Sequence, residues 1–380
     1  MQPIRTLPKL RRLTQAEADE ICLRHERLCD GRAGGARAIF ARFDLTGLDL
    51  RDRQLMGADF TGSILQDARL DNSLMDRAMM LCADLRHASL VRATLREVDL
   101  RGACLREANL SGVDMMGANM GEGSLPMLGQ PSTVRALDAI KTDFSGANLT
   151  RCRMNRAMAS GANFTGAVLA ECRLAGANLR DAVLRDADLF GADLHQVDAR
   201  QADFGGAAMI GTRMTQCQTG GANLSGIIRE TPPTLSARDK ETIANLVQHD
   251  LWVRTLGKEG RRAVFDGADV RVLLDLRDQD LSAVSAKGAV FYGLDMRGVS
   301  LAGANLDGAD LRRCQLQGAD LRGACLRNAR LEGASLDNAI TTPLQVRPGE
   351  SVPLNLRGVS LRSVSLNGVD LGSALVDVAA

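Results

Sequence analysis

The side chains with most capacity for chemistry in this 380-residue chain are four histidines, nine cysteines and 46 aspartates and glutamates. Their spacing points to no reaction. His25, His87, His195 and His249 stand apart from one another, and two of them fall in similar helical stretches, where a structural role is expected. An odd number of cysteines at scattered spacings, with no CxxC pair, argues against a disulfide framework and against a zinc site, so the thiols are read as reduced. The glycine-rich segments GRAGG (31–35) and GKEG (257–260) lack the Lys-Ser/Thr that a phosphate-binding loop needs and are read as turns. Carboxylates are plentiful, but abundance alone makes no acid–base pair. No catalytic residue, cofactor or metal site is expected, and the chain reads as non-enzymatic.

Composition narrows the classes further. With 47 basic against 46 acidic residues the formal charge is +1, so no global field steers nucleic acid or an anionic membrane, and direct nucleic-acid binding is not expected. The basic start MQPIRTLPKLRR runs into the charged TQAEADE, and no later stretch approaches the ~18 apolar residues of a membrane span. The expected setting is soluble and cytoplasmic. Aromatic residues are only 3%, so any core is narrow and built from Ala, Leu, Met and Phe.

The element that positions these side chains is a period of five. From Phe40 an apolar residue recurs at Leu45, Leu50, Leu55, Phe60 and onward to Leu125, with a small residue such as Ala58, Ser63 or Ala68 two before it. A second run goes from Phe144 to Leu224 in a shifted register. A third starts at Phe265, takes one extra residue between Val270 and Leu276 and continues to Thr341, and Leu356 to Val376 keep its phase. In extended backbone the large residue and the small one two before it point the same way, while the residue between them points out. The remaining two residues, often R-G, S-G, R-D or T-G, carry turn chemistry. Five residues are one wall and one corner, four pentads close a square coil, and residue n sits beneath n+20. Asp193 is then expected beneath Arg213. Cys152 and Cys172, one coil apart at the small inward position, come within bridging distance, although filling an alanine-sized slot is the reading preferred for them.

The phrases ANLRD, ADLFG, ANLSG, ADLRR and ADLRG resemble the pentapeptide repeat family, and more than fifty pentads fit. The resemblance implies an all-β solenoid, a right-handed quadrilateral β-helix, which agrees with the geometry above. End coils of a solenoid need covering. Residues 14–29 supply a helix with a Thr14/Glu17 capping box and an apolar stripe of Ala18, Ile21, Cys22 and Leu28. Residues 236–257 repeat the construction, with Ser236 and Asp239 at the start and Ile243, Leu246, Val247 and Val253 as its apolar residues. The expected organisation is two tandem β-helices, each preceded by a short capping α-helix: 1–35 an arm and helix, 36–231 the first β-helix with a loop near 126–143, 232–262 a linker and second helix, and 263–380 the second β-helix with a loop at 341–355. One continuous rod with a looped-out helix is the alternative.

Function then lies in the outward residues, the corners and the interruptions. Well-understood members of the family it resembles are DNA-mimicking, acidic, dimeric proteins that bind type II topoisomerases such as DNA gyrase. Such mimicry needs negative charge along the axis. Asp188, Asp193, Asp198 and Asp203 instead ring one coil. The column Asp143, Asn163, Val183, Asp203, Asn223 is mixed, and another is mostly basic through Arg153, Arg173 and Arg213. Nor does LVDVAA read as the C-terminal helix through which those proteins dimerise. The preferred reading is a non-enzymatic rigid scaffold for an unidentified protein partner, with gyrase inhibition or protection as the alternative. The candidate interaction patch is Met56, Ile64, Leu74, Met79 and Leu81, apolar residues at positions that should be polar. The C-terminal coil near Leu371 and Val376 is a second candidate, for a homodimer.

Overall fold

A computed structural model describes residues 10–125, 140–230, 235–361 and 363–377 of the chain. Two units divide it, Met1–Glu230 and Thr231–Ala380.

In the first unit the pentads wind into coils joined by parallel bridges between residues twenty apart, as in Ile39 to Asp59 to Met79 to Asp99. Four such columns run through the unit. We name them walls A (Ile39, Asp59, Met79), B (Asp44, Ile64, Asp84), C (Asp49, Arg69, Ser89) and D (Gln54, Leu74, Thr94). Each wall residue is held from both sides: the amide of Phe60 donates to the Met79 carbonyl at 2.7 Å and the amide of Met79 to the Ala58 carbonyl at 2.9 Å. Large and small inward residues such as Phe40, Leu45, Ala58 and Phe60 are fully buried, and Phe40 stacks on Phe60, and Phe144 on Phe164, each at 5.0 Å. Each buried Leu or Phe contributes about 1.5–3 kcal/mol. Where serine takes the small slot its hydroxyl is satisfied locally, Ser63 Oγ donating to the Phe60 carbonyl at 2.7 Å.

The corners are β-turns. Across Leu55–Ala58 the amide of Ala58 donates to the Leu55 carbonyl at 3.0 Å, and only the third residue, Gly57, has positive φ (67°), the signature of a type II turn.

The shifted register has a simple origin. Cys104 bridges Asp143 and Asn119 bridges Met158, so nineteen extra residues leave the coil and the walls resume in phase. The expected loop 126–143 lies outside the described residues over 126–139, but its base is closed by an antiparallel bridge in which Gly123 and Ile140 exchange amide bonds of 2.8 and 2.7 Å. Buried Thr142 anchors it, its hydroxyl donating toward the carbonyls of Leu100 (3.0 Å) and Gly121 (2.9 Å) and accepting the amide of Gly102 at 3.0 Å.

Strand β1 (Arg11–Arg12) pairs in parallel with β2 (Phe43–Asp44), lengthening wall B by one strand at its open edge. Helix α1 (Gln15–Cys29) follows. Thr14 and Glu17 form the full capping box, and the helix buries Ala18, Cys22 and His25, with Ile21 half-buried and Leu28 48% exposed. The buried face therefore differs from the expected stripe. The helix lies where backbone groups of the first coil lack a neighbouring coil, so polar side chains on this face supply the missing partners. The Gln15 amide donates to the Asp49 carbonyl at 2.8 Å and accepts the Asp49 amide at 2.9 Å, standing in for a strand on wall C.

In the second unit, bridges again join residues twenty apart, as in Asp275 to Asp295 to Gln315 to Ser335. The extra residue at 270–276 is taken up by a 3-10 turn, Val270–Leu273, and the first bridges there span twenty-one. The interruption at 341–355 is not a plain loop: Leu344–Arg347 (β3) and Glu350–Val352 (β4) form an antiparallel hairpin, and the coil resumes in phase, Cys325 bridging Asn355. Helix α2 (Ala237–Arg254) has the Ser236/Asp239 capping box but buries Thr242 and His249, while Val247, expected in the apolar stripe, is 61% exposed.

Candidate functional site: the outward walls

The outward Asp and Asn of each pentad do more than face solvent. The Asp49 carboxylate accepts the amide of Arg51 two residues on (3.2 Å) and the Asn109 carbonyl that of Ser111 (3.1 Å), so the wall residue ties the corner that follows it. Where Arg holds the second position, its guanidinium returns to the same carboxylate: Asp49 with Arg51 (2.8 and 2.6 Å), Asp84 with Arg86, Asp99 with Arg101, Asp198 with Arg200, and Asp275, Asp295 and Asp320 with Arg277, Arg297 and Arg322. The guanidinium hydrogen bonds hold the carboxyls of Asp49 and Asp198 at about 2, well under the usual range. Asn163 over Asp143 (2.9 Å) and Asn223 over Asp203 (2.7 Å) make amide-to-carboxylate ladders along wall B.

These contacts alter the charge map. The column of Arg153, Arg173 and Arg213 forms on wall D, but Arg153 pairs with Asp114 at 3.1 Å and Arg213 with Asp193 at 3.7 Å. The carboxylate of Asp114 also meets Arg96 at 2.8 Å. What reads in sequence as a basic stripe therefore has two of its three arginines paired with aspartates of the same wall.

The five residues of the apolar patch are spread over three consecutive walls. Ile64 lies on wall B and Leu74 on wall D, which are not adjacent around the coil. Met79 lies on wall A, Met56 at the corner before it and Leu81 at the corner after it. Structure adds residues that the period alone did not mark: Ile39 and Met158 on wall A, 56% and 49% exposed, and Met116 one corner column with Met56. Ile39, Met79 and Met158 stand on wall A, with Asp59 between the first two and Asp99 and Asn119 between the last two, and Met56 and Met116 share the corner column beside it, so the methionine-rich strip is interrupted by polar residues. The clue was in the sequence, since three of these residues are twenty or thirty-nine apart from a wall A neighbour, but the nineteen-residue insertion hid the phase of Met158.

Two titratable clusters sit at the starts of the units. His25 Nδ1 accepts the Ala38 amide at 3.1 Å while Nε2 donates to the Met56 carbonyl at 3.1 Å, which fixes one neutral tautomer. In the second unit His249 Nδ1 accepts the Ala263 amide at 3.2 Å, and its ring stacks on Trp252 at 5.6 Å. Burial pushes both imidazoles below their ordinary value. His87 lies 3.6 Å from Glu107, and His195 contacts Thr215.

The cysteine reading needs one correction. Cys152 and Cys172 are bonded to each other, their Cα atoms 4.7 Å apart in successive coils, while the other seven cysteines are free. Both point into the lumen at the small inward slot, where one coil spacing matches the reach of a disulfide. Among the described residues no His, Cys, Asp or Glu cluster suits a metal ion, and no helix is long and apolar enough to cross a membrane.

A family model described as pentapeptide repeats matches the chain repeatedly, at residues 54–90, 80–121, 135–166, 167–206, 187–226, 275–313 and 314–340, more than half of its length. Among solved structures, HetL, a pentapeptide repeat protein involved in heterocyst differentiation regulation from Nostoc sp. strain PCC 7120, is 20% identical, with 92% of this chain and 93% of HetL covered and a TM-score of 0.17. Full-length QnrB1, a plasmid-mediated fluoroquinolone resistance protein, is 18% identical over 58% of this chain and 97% of QnrB1, with a TM-score of 0.28. Rfr23 from the cyanobacterium Cyanothece 51142 is 22% identical over 33% of this chain and 91% of Rfr23, with a TM-score of 0.24. No curated protein matches the chain.

Proposed function

The chain belongs to the pentapeptide repeat family, and from that premise we infer that it is a non-enzymatic scaffold: two right-handed quadrilateral β-helices in tandem, each begun by a capping helix, presenting rigid walls to a protein partner. The observation that carries this reading is the tying of outward side chains into their own corners, as Asp49 to Arg51 and Asp99 to Arg101. Walls ordered in advance lose little conformational entropy when a partner docks. The methionine-rich strip of wall A is the docking surface, because unbranched, polarizable side chains adapt to an apolar partner face. Met79→Glu and Met158→Glu, with Leu74→Glu on a separate wall as control, test it. Partners captured by the wild type from the native organism are expected to be lost with the first two variants and kept with the third. An identical set from all four proteins would remove the strip.

The gyrase reading is disfavoured by the same ion pairs. A mimic of DNA needs carboxylates free along the axis, whereas many wall aspartates here already hold an arginine. Inhibition or protection of gyrase supercoiling by micromolar protein would restore it.

A further inference from the structure

Two adjoining cavities of about 420 and 440 Å³ lie in the second unit, the first between α2 and the first coil and the second on the coils beside it. They share Arg262 and the 57% exposed Val264. Four cations line them, Arg238, Arg261, Arg262 and Lys287, against the carboxylates Glu241 and Asp266. The charges are not equally committed. Arg238 donates to the Gly267 carbonyl at 2.7 Å and Arg261 to Asn245 at 3.2 Å. Asp266 accepts the Ser285 hydroxyl at 2.7 Å and the Lys287 amide at 2.9 Å. The side chains of Arg262 and Lys287 make no ion pair or hydrogen bond among the described residues, and both are exposed. Asn305 uses its carbonyl on the Asp307 amide at 3.2 Å, leaving its amide donors to the cavity it lines.

We propose that this groove binds an extended acidic peptide segment of a partner protein. Two joined cavities suit a chain rather than one small anion, and Val264 gives an apolar floor between the unpaired cations. In an extended peptide alternate side chains share a face, so acidic residues can meet Arg262 and Lys287 while neutral ones pass Glu241. A nucleic acid carries charge at every backbone step and would bring phosphates against Glu241 and Asp266. The inference rests on the scaffold reading for its occupant, a protein segment, but uses a surface separate from the strip of wall A.

The test is fluorescence polarisation of the full chain with a labelled ten-residue peptide of alternating Glu and Ser, its Gln–Ser counterpart, and a labelled single-stranded DNA of the same length. The acidic peptide is expected to bind, to weaken about tenfold or more in Arg262→Glu and Lys287→Glu, and to lose affinity with salt. Circular dichroism of these variants and of Arg262→Gln and Lys287→Gln checks their fold. Equal binding of the two peptides, unchanged affinity in folded variants, or binding of the DNA alone overturns the proposal. Should the peptide fail while Met79→Glu still abolishes partner capture, the groove falls and the scaffold reading stands.

Discussion

Asp49 and Arg51, two residues apart, close one corner twice: the aspartate accepts the arginine amide at 3.2 Å, and its two oxygens take the guanidinium at 2.8 and 2.6 Å. The first bond shapes the turn and the second fixes charge on the wall. Asp49→Asn keeps the turn acceptor, as Asn109 does, but gives up the charged pair with Arg51, and is expected to cost less than Asp49→Ala. Asp49→Ala removes both and should cost about 1 kcal/mol in urea unfolding. Because the folded carboxyls of Asp49 and Asp198 lie near 2, below the ordinary 3.8, the unfolded chain binds more protons between those values. Their contribution is complete above the ordinary value and is lost as pH falls toward 2. NMR titration of the two carboxyls checks the shift.

His249 and His25 give a second pH dependence of the same sign. Their neutral rings accept the amides of Ala263 and Ala38, and a proton on Nδ1 would remove that acceptor. With folded values held under 6.5, stability is expected to be level above pH 6.5 and to drop as pH falls below it, until the folded value is passed. Trp252 is the one tryptophan and stacks on His249, so its fluorescence should titrate with a midpoint below 6.5. A midpoint at or above 6.5 would contradict the buried neutral ring.

Alkylation of the unfolded, unreduced protein is expected to modify seven of nine cysteines, leaving Cys152 and Cys172 protected. Cys172→Ala should retain the fold, since alanine fills this slot in most coils, and should lower stability by at most about 3 kcal/mol through the lost twenty-residue loop closure. Nine modified thiols would show that the two sulfurs are reduced.

Thr142→Val keeps the shape of the side chain and removes the one proton shared by the Leu100 and Gly121 carbonyls at the base of the insertion, leaving the Gly102 amide without its hydroxyl acceptor. A loss of about 2 kcal/mol is expected from thermal or urea unfolding, with Thr142→Ser close to wild type. Gly123→Ala should be comparably harmful, because its Cβ would fall against the Arg101 carbonyl. Unfolding midpoints unchanged in both variants would show that the insertion is not anchored there.

The period of five by itself determined which residues are inside, which are outside and which stand above one another, since alternation and a four-sided coil leave no other arrangement for so narrow a set of side chains. Asp193 beneath Arg213 and the column from Asp143 to Asn223 were legible on that basis. Tertiary structure decided what the outward letters are used for. Whether an aspartate is free or tied depends on a corner geometry that brings residue n+2 back to it, and whether Met158 joins Met79 depends on how nineteen extra residues return to phase. The buried faces of α1 and α2 were also decided there. Apolar periodicity pointed to Leu28 and Val247, but an open coil edge presents backbone donors and acceptors, so the side chains turned to it are the half-buried Gln15 and the buried His25 and His249.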